Sequence, residues 1–533
     1  MDCTNAFLPY EGTGYFSKIV ADYLKQADTL RPFYQHTPDM DGIRSALQAR
    51  KNTATDRNML VTVLYKQYKG LDISAAVKSN IDLLTSPDTF TITTAHQPNI
   101  FTGPLYFIYK IMHAVKLAEE LTQQFPDNRF VPVYYMGSED ADLDELGFVN
   151  VGGQKLVWDT KQTGAVGRMK VDKAFLKIIQ SIEGQIAVLP HGVELVTLFR
   201  SCYAEGKTIQ QATLELVNHL FAAYGVVVVI PDEPQLKAAF IQTVTKELTE
   251  QFSHTVVEQT AAALSQHYKV QAAGREINLF YLLNDQRLRI ELEGDRFTVQ
   301  ALQLSFTKEE ILQELQANPD RFSPNVILRG VFQETILPNI AFIGGGGELA
   351  YWLELKKVFE AAGVPYPVLV LRNSFLFVEQ EQKERLDKLG MKTSDLFTPT
   401  TDYINALVKS GTSNQLELTR ELEEAAAFYQ KLSGLATAID KSLTDHVAAL
   451  EVKAIKKLQT LEKKMLRAEK DKFETSIRQI TSLKASLFPG NSLQERTDNF
   501  SLFYGKYGAE WMDVIYRSSN GLQQEFGIIY AGK

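Results

Sequence analysis

The order of apolar and polar positions divides the chain into a sheet-forming part and a helix-forming part. Phe90-Thr91-Ile92-Thr93-Thr94 is a β-branched run that stops at the turn-rich stretch Ala95-His96-Gln97-Pro98-Asn99, which predicts a strand followed by a loop. After Thr102-Gly103-Pro104, the residues Leu105, Ile108, Ile111, Met112, Val115 and Leu121 keep helical spacing. Pro104 suits the first turn, where its missing N–H has no partner to lose. Phe130-Val131-Pro132-Val133-Tyr134-Tyr135-Met136 predicts a second strand and completes a βαβ unit. Gly225 to Ile230 and Tyr366 to Leu371 are continuous apolar runs, the pattern of strands covered on both faces. An α/β fold follows, with a Rossmann-like parallel-sheet core. Residues 1 to about 85 read as mostly helical, and the long separations at 151–215 and 245–325 read as insertions. Within the second, Leu288 to Val299 alternates like a hairpin.

Past residue 376 the pattern changes. From Gln415 to Leu487 there is no Pro and only Gly434 interrupts. Ile455, Leu458, Leu461, Met465, Ile477, Ile480, Leu483 and Leu487 recur at helical steps between Lys and Glu. This predicts a helical coiled-coil domain at 377–533 behind a core at 1–376. The apolar strip is narrow, and its partner is either this helical bundle or a second chain.

Composition narrows the function classes. Lys plus Arg number 56 and Asp plus Glu 64, a formal net charge of −8, which argues against a polyanion binder, so no nucleic-acid partner is expected. Only Cys3 and Cys202 are present, which excludes a disulfide framework and suits a reducing compartment. The start MDCTNAFLPY lacks the features of a signal peptide, and no stretch approaches 18 uninterrupted apolar residues, so a cytoplasmic protein without a membrane partner is expected.

Three segments carry candidate chemistry. The loop 95–103 ends a strand and opens a helix, where α/β proteins bind ligands. It offers His96, Gln97, Asn99, Thr102 and Gly103, with Tyr106 and Lys110 on the helix behind. Ser138-Glu139-Asp140-Ala141-Asp142-Leu143-Asp144-Glu145 follows the second strand. Asp140, Asp142 and Asp144 imitate the start of a calcium loop, but Glu145 stands where Gly is needed and Val151 where a bidentate Glu is needed, so calcium is rejected. Ser138 reads as a helix cap with acidic residues in the first turn. The carboxylates exceed what capping requires and suit an amine or a magnesium-bound nucleotide. Gly344-Gly345-Gly346-Gly347-Glu348 permits positive φ and a backbone nest for phosphate or carboxylate, without the Lys-Ser/Thr of a P-loop. Arg329 lies upstream of this run, and Tyr351 and Trp352 lie downstream. Histidines form no metal motif, and no structural metal is expected.

Taken in order, Thr102-Gly103-Pro104-Leu105-Tyr106 with Lys110, then Val131-Pro132-Val133 and Glu139 to Glu145, then Arg329, Gln333-Glu334, Ala341-Phe342-Ile343, Gly344, Gly347-Glu348, Tyr351-Trp352 and Glu354-Leu355-Lys356 resemble the BshC family of bacillithiol biosynthesis. Leu493-Gln494-Glu495-Arg496 and Tyr507-Gly508 fit the same family. His96, Pro98 and Asn99 depart from it, standing where a common form has Gln, Ala and Gly. The resemblance implies a Rossmann-like core with insertions and a coiled coil through which two chains pair as a homodimer. It implies a ligase that adds L-cysteine to the amino group of glucosaminyl-malate, the last step of the pathway.

A carboxylate and an amine form an amide only after the carboxylate is activated, so ATP, with magnesium, is the expected source of an adenylate or acyl phosphate. Gly390-Met391-Lys392-Thr393-Ser394 matches no activation motif of the family. On this reading Glu139, Asp140 or Asp142 binds or deprotonates the sugar amine, and Gly344 to Gly347 with Arg329 hold malate carboxylates or phosphate. A nucleotide-binding scaffold that organises other enzymes without catalysis is the alternative.

Overall fold

The computed structural model describes residues 1–272 and 274–532. Its centre is a parallel sheet of five strands: β1 (Thr89–His96), β2 (Arg129–Met136), β3 (Val227–Val229), β4 (Asn339–Gly344) and β5 (Val368–Leu371), in the order β5-β4-β1-β2-β3. Four of these strands coincide with the runs expected from the sequence. The fifth, β4, lies beside β1 in the sheet, although its apolar run before the glycines is short.

Helix α1 (Tyr106–Gln124) makes the crossover from β1 to β2. Its Ala114, Leu117, Ala118 and Leu121 share one buried cluster with Phe90 and Ile92 of β1, Phe130 of β2, and Ile43 and Leu47 of the N-terminal helix Met40–Lys51. Leu117→Ala in this close-packed cluster would cost about 2–5 kcal/mol, because the hole cannot fully collapse. The edge strand β3 is closed by side chains in place of a further strand. Val228 N–H donates to the Tyr68 hydroxyl (2.8 Å), and Gln67 bonds both the N–H and the carbonyl of Ile230 (3.1 and 2.7 Å). This blunts an edge that would otherwise template aggregation.

Two long stretches lie between the sheet strands, one between β2 and β3 and one between β3 and β4. The first holds the helices Lys173–Ile186, Gly192–Cys202 and Ile209–Phe221. The second holds two small antiparallel sheets, one joining Leu279–Leu283 to Gln286–Arg289 and Phe322–Pro324, the other joining Glu291–Glu293, Arg296–Val299 and Leu304–Phe306. The alternation at 288–299 therefore spans two sheets, and only its second half is a hairpin, turning at Gly294-Asp295. Helix α2 (Val326–Ile336) leads into β4, and the short helix α3 (Gly346–Trp352) leaves it.

The chain forms two compact units, Met1–Phe377 with Ser492–Lys533, and Val378–Asn491. The expected break at 376 is close to the first crossing between them. The expected second segment ran on to 533, however, and residues 492–533 belong with the first unit. The reason is long-range pairing: Phe526–Ala531 is antiparallel to Cys3–Leu8, and Trp511 is fully buried. In the second unit, α4 (Thr419–Ile439) and α5 (Leu443–Lys470) are joined by three residues and pack as an antiparallel pair, followed by α6 (Glu474–Leu487).

Candidate active site

In a parallel sheet every strand delivers its carboxyl end to the same side, and the loops that follow must meet there. The loops after β1, β2, β4 and β5 surround a cleft of about 510 Å3 in the first unit, within the roughly 300–1,000 Å3 of small-molecule sites. The loop after β1, the end of the acidic segment and the glycine run all border it, although no residue of 138–144 lines it. His96, Gln97, Tyr106 and Lys110 come from the first, Glu145 from the second, and Gly345 to Glu348 with Tyr351 from the third. Arg329 joins them from α2.

The first loop is held in an unusual shape. Phe101 (φ 52°), Thr102 (φ 68°) and Gly103 (φ 63°) all lie in the left-handed region, costly for the two that carry side chains. Anchors impose it. The Phe101 ring packs against Phe199 and Tyr203 of the stretch between β2 and β3, with centroids 4.9 Å away in each case, and Asn499 Nδ2 donates to the carbonyls of Phe101 and Gly103 (2.8 and 2.5 Å). A Cβ on Gly103 would also stand 2.8 Å from that of Asn99. Asn99, Thr102 and Gly103 therefore shape the loop and do not line the cleft, contrary to the expectation that they contact ligand.

Lys110 is buried, and its ammonium joins the Glu348 carboxylate and the Ala95 carbonyl (2.9 Å). Burial depresses its pKa, and the charge of Glu348 opposes that effect. The same carboxylate accepts the Gly345 N–H (2.7 Å), so Glu348 ties the glycine run to α1. The glycines form no positive-φ nest: none of 344–347 has positive φ. Gly344 ends β4, where a Cβ would stand 2.8 Å from the Phe342 ring, and Gly346 already begins α3. Close approach, not a phosphate cradle, accounts for glycine at 344. Trp352, expected in the site, is stacked on Phe342 at 4.3 Å in the core instead.

The acidic segment separates into distinct roles. Ser138 caps no helix; it is fully buried, and the only helical turn here, Leu143–Leu146, is capped by Asp142, which accepts the Glu145 N–H (3.0 Å). Asp142 is thus a cap and does not line the cleft. Glu139 is buried in an ion pair with Lys237, which also donates to the Phe322 carbonyl (2.7 Å). Asp140 lies against the cleft wall, 3.5 Å from an Arg329 nitrogen and bonded by Gln97 Nε2 (3.3 Å). Burial pushes its pKa up, but the charges of Arg329 and Arg287 and the Gln97 bond hold it below the ordinary value. Glu139, Asp140, Arg287 and Arg329 border a smaller hollow beside the cleft.

Tyr135, Gly137, Val326, Arg372 and Arg496 also line the cleft, although the sequence did not single them out as site residues. Arg372 follows β5 directly, so the strand-end rule applied to the first loop would have found it. Its guanidinium bonds both oxygens of buried Glu495 (2.7 and 2.9 Å) and lies over the Tyr106 ring at 5.1 Å. Burial raises the Tyr106 phenol to about 12, so it is a neutral donor at physiological pH. His96 is held neutral, its pKa well below the usual value through burial and the neighbouring charges of Lys110, Arg372 and Arg329. Among the described residues no group of three or more His, Cys, Asp or Glu is arranged to hold a metal ion.

Comparison with known proteins places this geometry. The family model for the BshC N-terminal Rossmann-like domain of bacillithiol biosynthesis matches residues 1–373, and that for the BshC C-terminal coiled-coil domain matches 375–531. The chain belongs to the BshC family. A BshC relative from Flavobacterium johnsoniae, described as "Putative cysteine ligase BshC", is 39% identical over 98% of this chain and 99% of its own length. Another from Christiangramia forsetii, under the same description, is 38% identical over 99% of each chain. A solved structure titled "putative arginyl t-RNA synthetase" from Campylobacter jejuni covers 80% of this chain and 99% of its own at 11% identity, with a TM-score of 0.20, too low to carry an argument. No helix among the described residues is long and apolar enough to cross a membrane.

Proposed function

We propose that the cleft joins the carboxyl group of L-cysteine to the amino group of glucosaminyl-malate in the cytoplasm, completing bacillithiol. The observation that carries this reading is the meeting of four strand-end loops around a cleft lined by both carboxylates and cations. The full-length similarity to relatives described as cysteine ligases supports it.

Amide formation must expel a carboxylate oxygen, so the carboxylate is first activated. ATP would supply that activation: one carboxylate oxygen bonds to phosphorus as the P–O bond to pyrophosphate, or to ADP, breaks. The guanidinium and ammonium groups of Arg329, Arg372 and Lys110 fit its phosphate charge, whereas the glycine run offers no nest for it. The acceptor nitrogen then forms the C–N bond, and the C–O bond to the phosphorus-bearing oxygen breaks. Asp140, kept ionised by Arg329 and Arg287, takes the proton that the nitrogen loses. Tyr106 donates a hydrogen bond to the oxygen that gains charge.

The purified full chain, given L-cysteine, glucosaminyl-malate and ATP, should release a product whose mass is the sum of the two substrates less one water, at many turnovers per chain. A scaffold without catalysis gives none. We also propose that the chain pairs as a homodimer through its helical unit, where Phe428, Leu435 and Ile439 are 57%, 59% and 83% exposed on α4. An apolar row left in water this way is what a second coiled-coil helix covers. Leu435→Glu should convert the dimer to monomer in analytical ultracentrifugation, and an unchanged sedimentation coefficient would refute this interface.

A further inference from the structure

The charges of the cleft are mostly compensated within the protein. Lys110 is matched by Glu348, Arg372 by Glu495 and Arg329 by Asp140. Two lining groups of opposite sign remain. The Arg496 guanidinium makes no hydrogen bond or ion pair among the described residues, and neither does the Glu145 carboxylate. Both side chains are exposed at the cleft, and both charges act on the Tyr106 phenol.

Each of the two stands on a fixed base. Arg496 ends the turn Gln494–Arg496, and its N–H bonds the Leu493 carbonyl (2.9 Å). Gln494 and Glu495 before it are buried. Gln494 pairs with both the N–H and the carbonyl of Phe377 (3.0 and 3.1 Å), while Glu495 is locked to Arg372. Glu145 sits in the turn capped by Asp142. The backbone beneath each charged head is fixed, so only the side chain itself has to be ordered when a ligand binds.

We propose that Arg496 is the specificity-determining residue that takes the carboxylates of the acceptor, an amine-bearing aliphatic dicarboxylate, while Glu145 meets its amine end. This rests on the ligase reading given above. The charge left unpaired in the site, one cation facing one carboxylate, suits a ligand that carries both carboxylates and an amine better than a phosphate chain. A guanidinium fork grips a planar carboxylate with two bonds, and Arg329, held only at 3.5 Å by Asp140, can swing toward a second carboxylate. One uncompensated cation matches a dicarboxylate far better than a triphosphate.

The test uses the full chain as wild type, Arg496→Ala, Arg496→Lys and Glu145→Gln, each first checked for an unchanged melting temperature. Calorimetric titration with L-malate and, separately, with ATP reads binding without catalysis. Arg496→Ala should weaken malate binding about 10- to 100-fold, the loss expected for a charge-assisted pair, and leave ATP affinity within twofold. Arg496→Lys should recover only part of it, since an ammonium cannot make the fork. In the ligation assay Arg496→Ala and Glu145→Gln should raise KM for glucosaminyl-malate and leave KM for cysteine unchanged. Arg496→Ala should also lose the preference for glucosaminyl-malate over glucosamine lacking the malyl arm. Equal malate affinity in wild type and Arg496→Ala, or loss of ATP affinity in place of malate affinity, overturns the proposal. If the wild type binds malate through Arg496 yet never ligates, it is the ligase reading that fails.

Discussion

The two compact units use the same ion-pair chemistry in opposite ways. In the sheet-bearing unit, Arg372–Glu495 and Arg50–Glu334 have both side chains at 5% exposure or less. In the helical unit, Arg385–Glu381 and Arg420–Glu424 are neighbours one turn apart on exposed helix surfaces. Buried pairs lose hydration and persist only where hydrogen bonds saturate them, so they fix a geometry and tolerate no single deletion. Exposed pairs fix little. The comparison teaches where position matters: Arg372–Glu495 stands at the cleft and sets the place of Arg496, whereas the helical pairs keep a long surface soluble.

The largest effect should come from breaking the buried pair on one side only. Glu495→Ala leaves the Arg372 charge buried without its partner and should cost about 3–5 kcal/mol in urea unfolding, whereas a double replacement of Arg372 and Glu495 by apolar residues should recover most of that. Equal losses in both variants would erase the distinction between the units.

Next comes Asp140→Asn, which keeps the Gln97 neighbourhood but removes the proposed proton acceptor. It should lower kcat by about 10²–10⁴ with little change in melting temperature. A kcat within threefold of wild type would take Asp140 out of the chemistry.

Asp498 gives a smaller, pH-dependent effect in the sheet-bearing unit. Burial pushes its pKa up to about 6, above the ~3.9 of an unfolded aspartate, so the native state binds this proton more tightly than the unfolded chain. Its ionised form therefore lowers stability at pH 7.5, and the penalty fades as pH falls through 6 towards 4. Asp498→Asn should stabilise by about 1–3 kcal/mol at pH 7.5 and by nearly nothing at pH 4, read from denaturant midpoints at both values. The smallest effect belongs to the helical unit, where Arg420→Ala should change stability by less than about 0.5 kcal/mol.

Local patterns made the scaffold legible and left the partners hidden. The runs that became β1, β2, β3 and β5 announced themselves because strands buried on both faces must be apolar throughout. Strand β4 escaped because its apolar core, Ile340 to Ile343, lies between Pro338-Asn339 and the glycines, so turn signals outweighed it. The return of residues 492–533 to the first unit had no local trace, since Cys3–Leu8 and Phe526–Ala531 lie at opposite ends of the chain. In the site, strand-end position identified His96, Gln97, Lys110 and the glycine run. It could not separate the carboxylates, because capping, burial against Lys237 and pairing with Arg329 are set by tertiary contacts of Asp142, Glu139 and Asp140.

The central claim is that this cleft forms an amide by activating the cysteine carboxylate. L-cysteine labelled with ¹⁸O in both carboxyl oxygens tests it directly when incubated with the wild-type chain, glucosaminyl-malate and ATP. The account predicts one ¹⁸O in the product amide and one in the phosphate or AMP released, in equal amounts. Product formed without transfer of label to phosphorus, or no product at all, would contradict it.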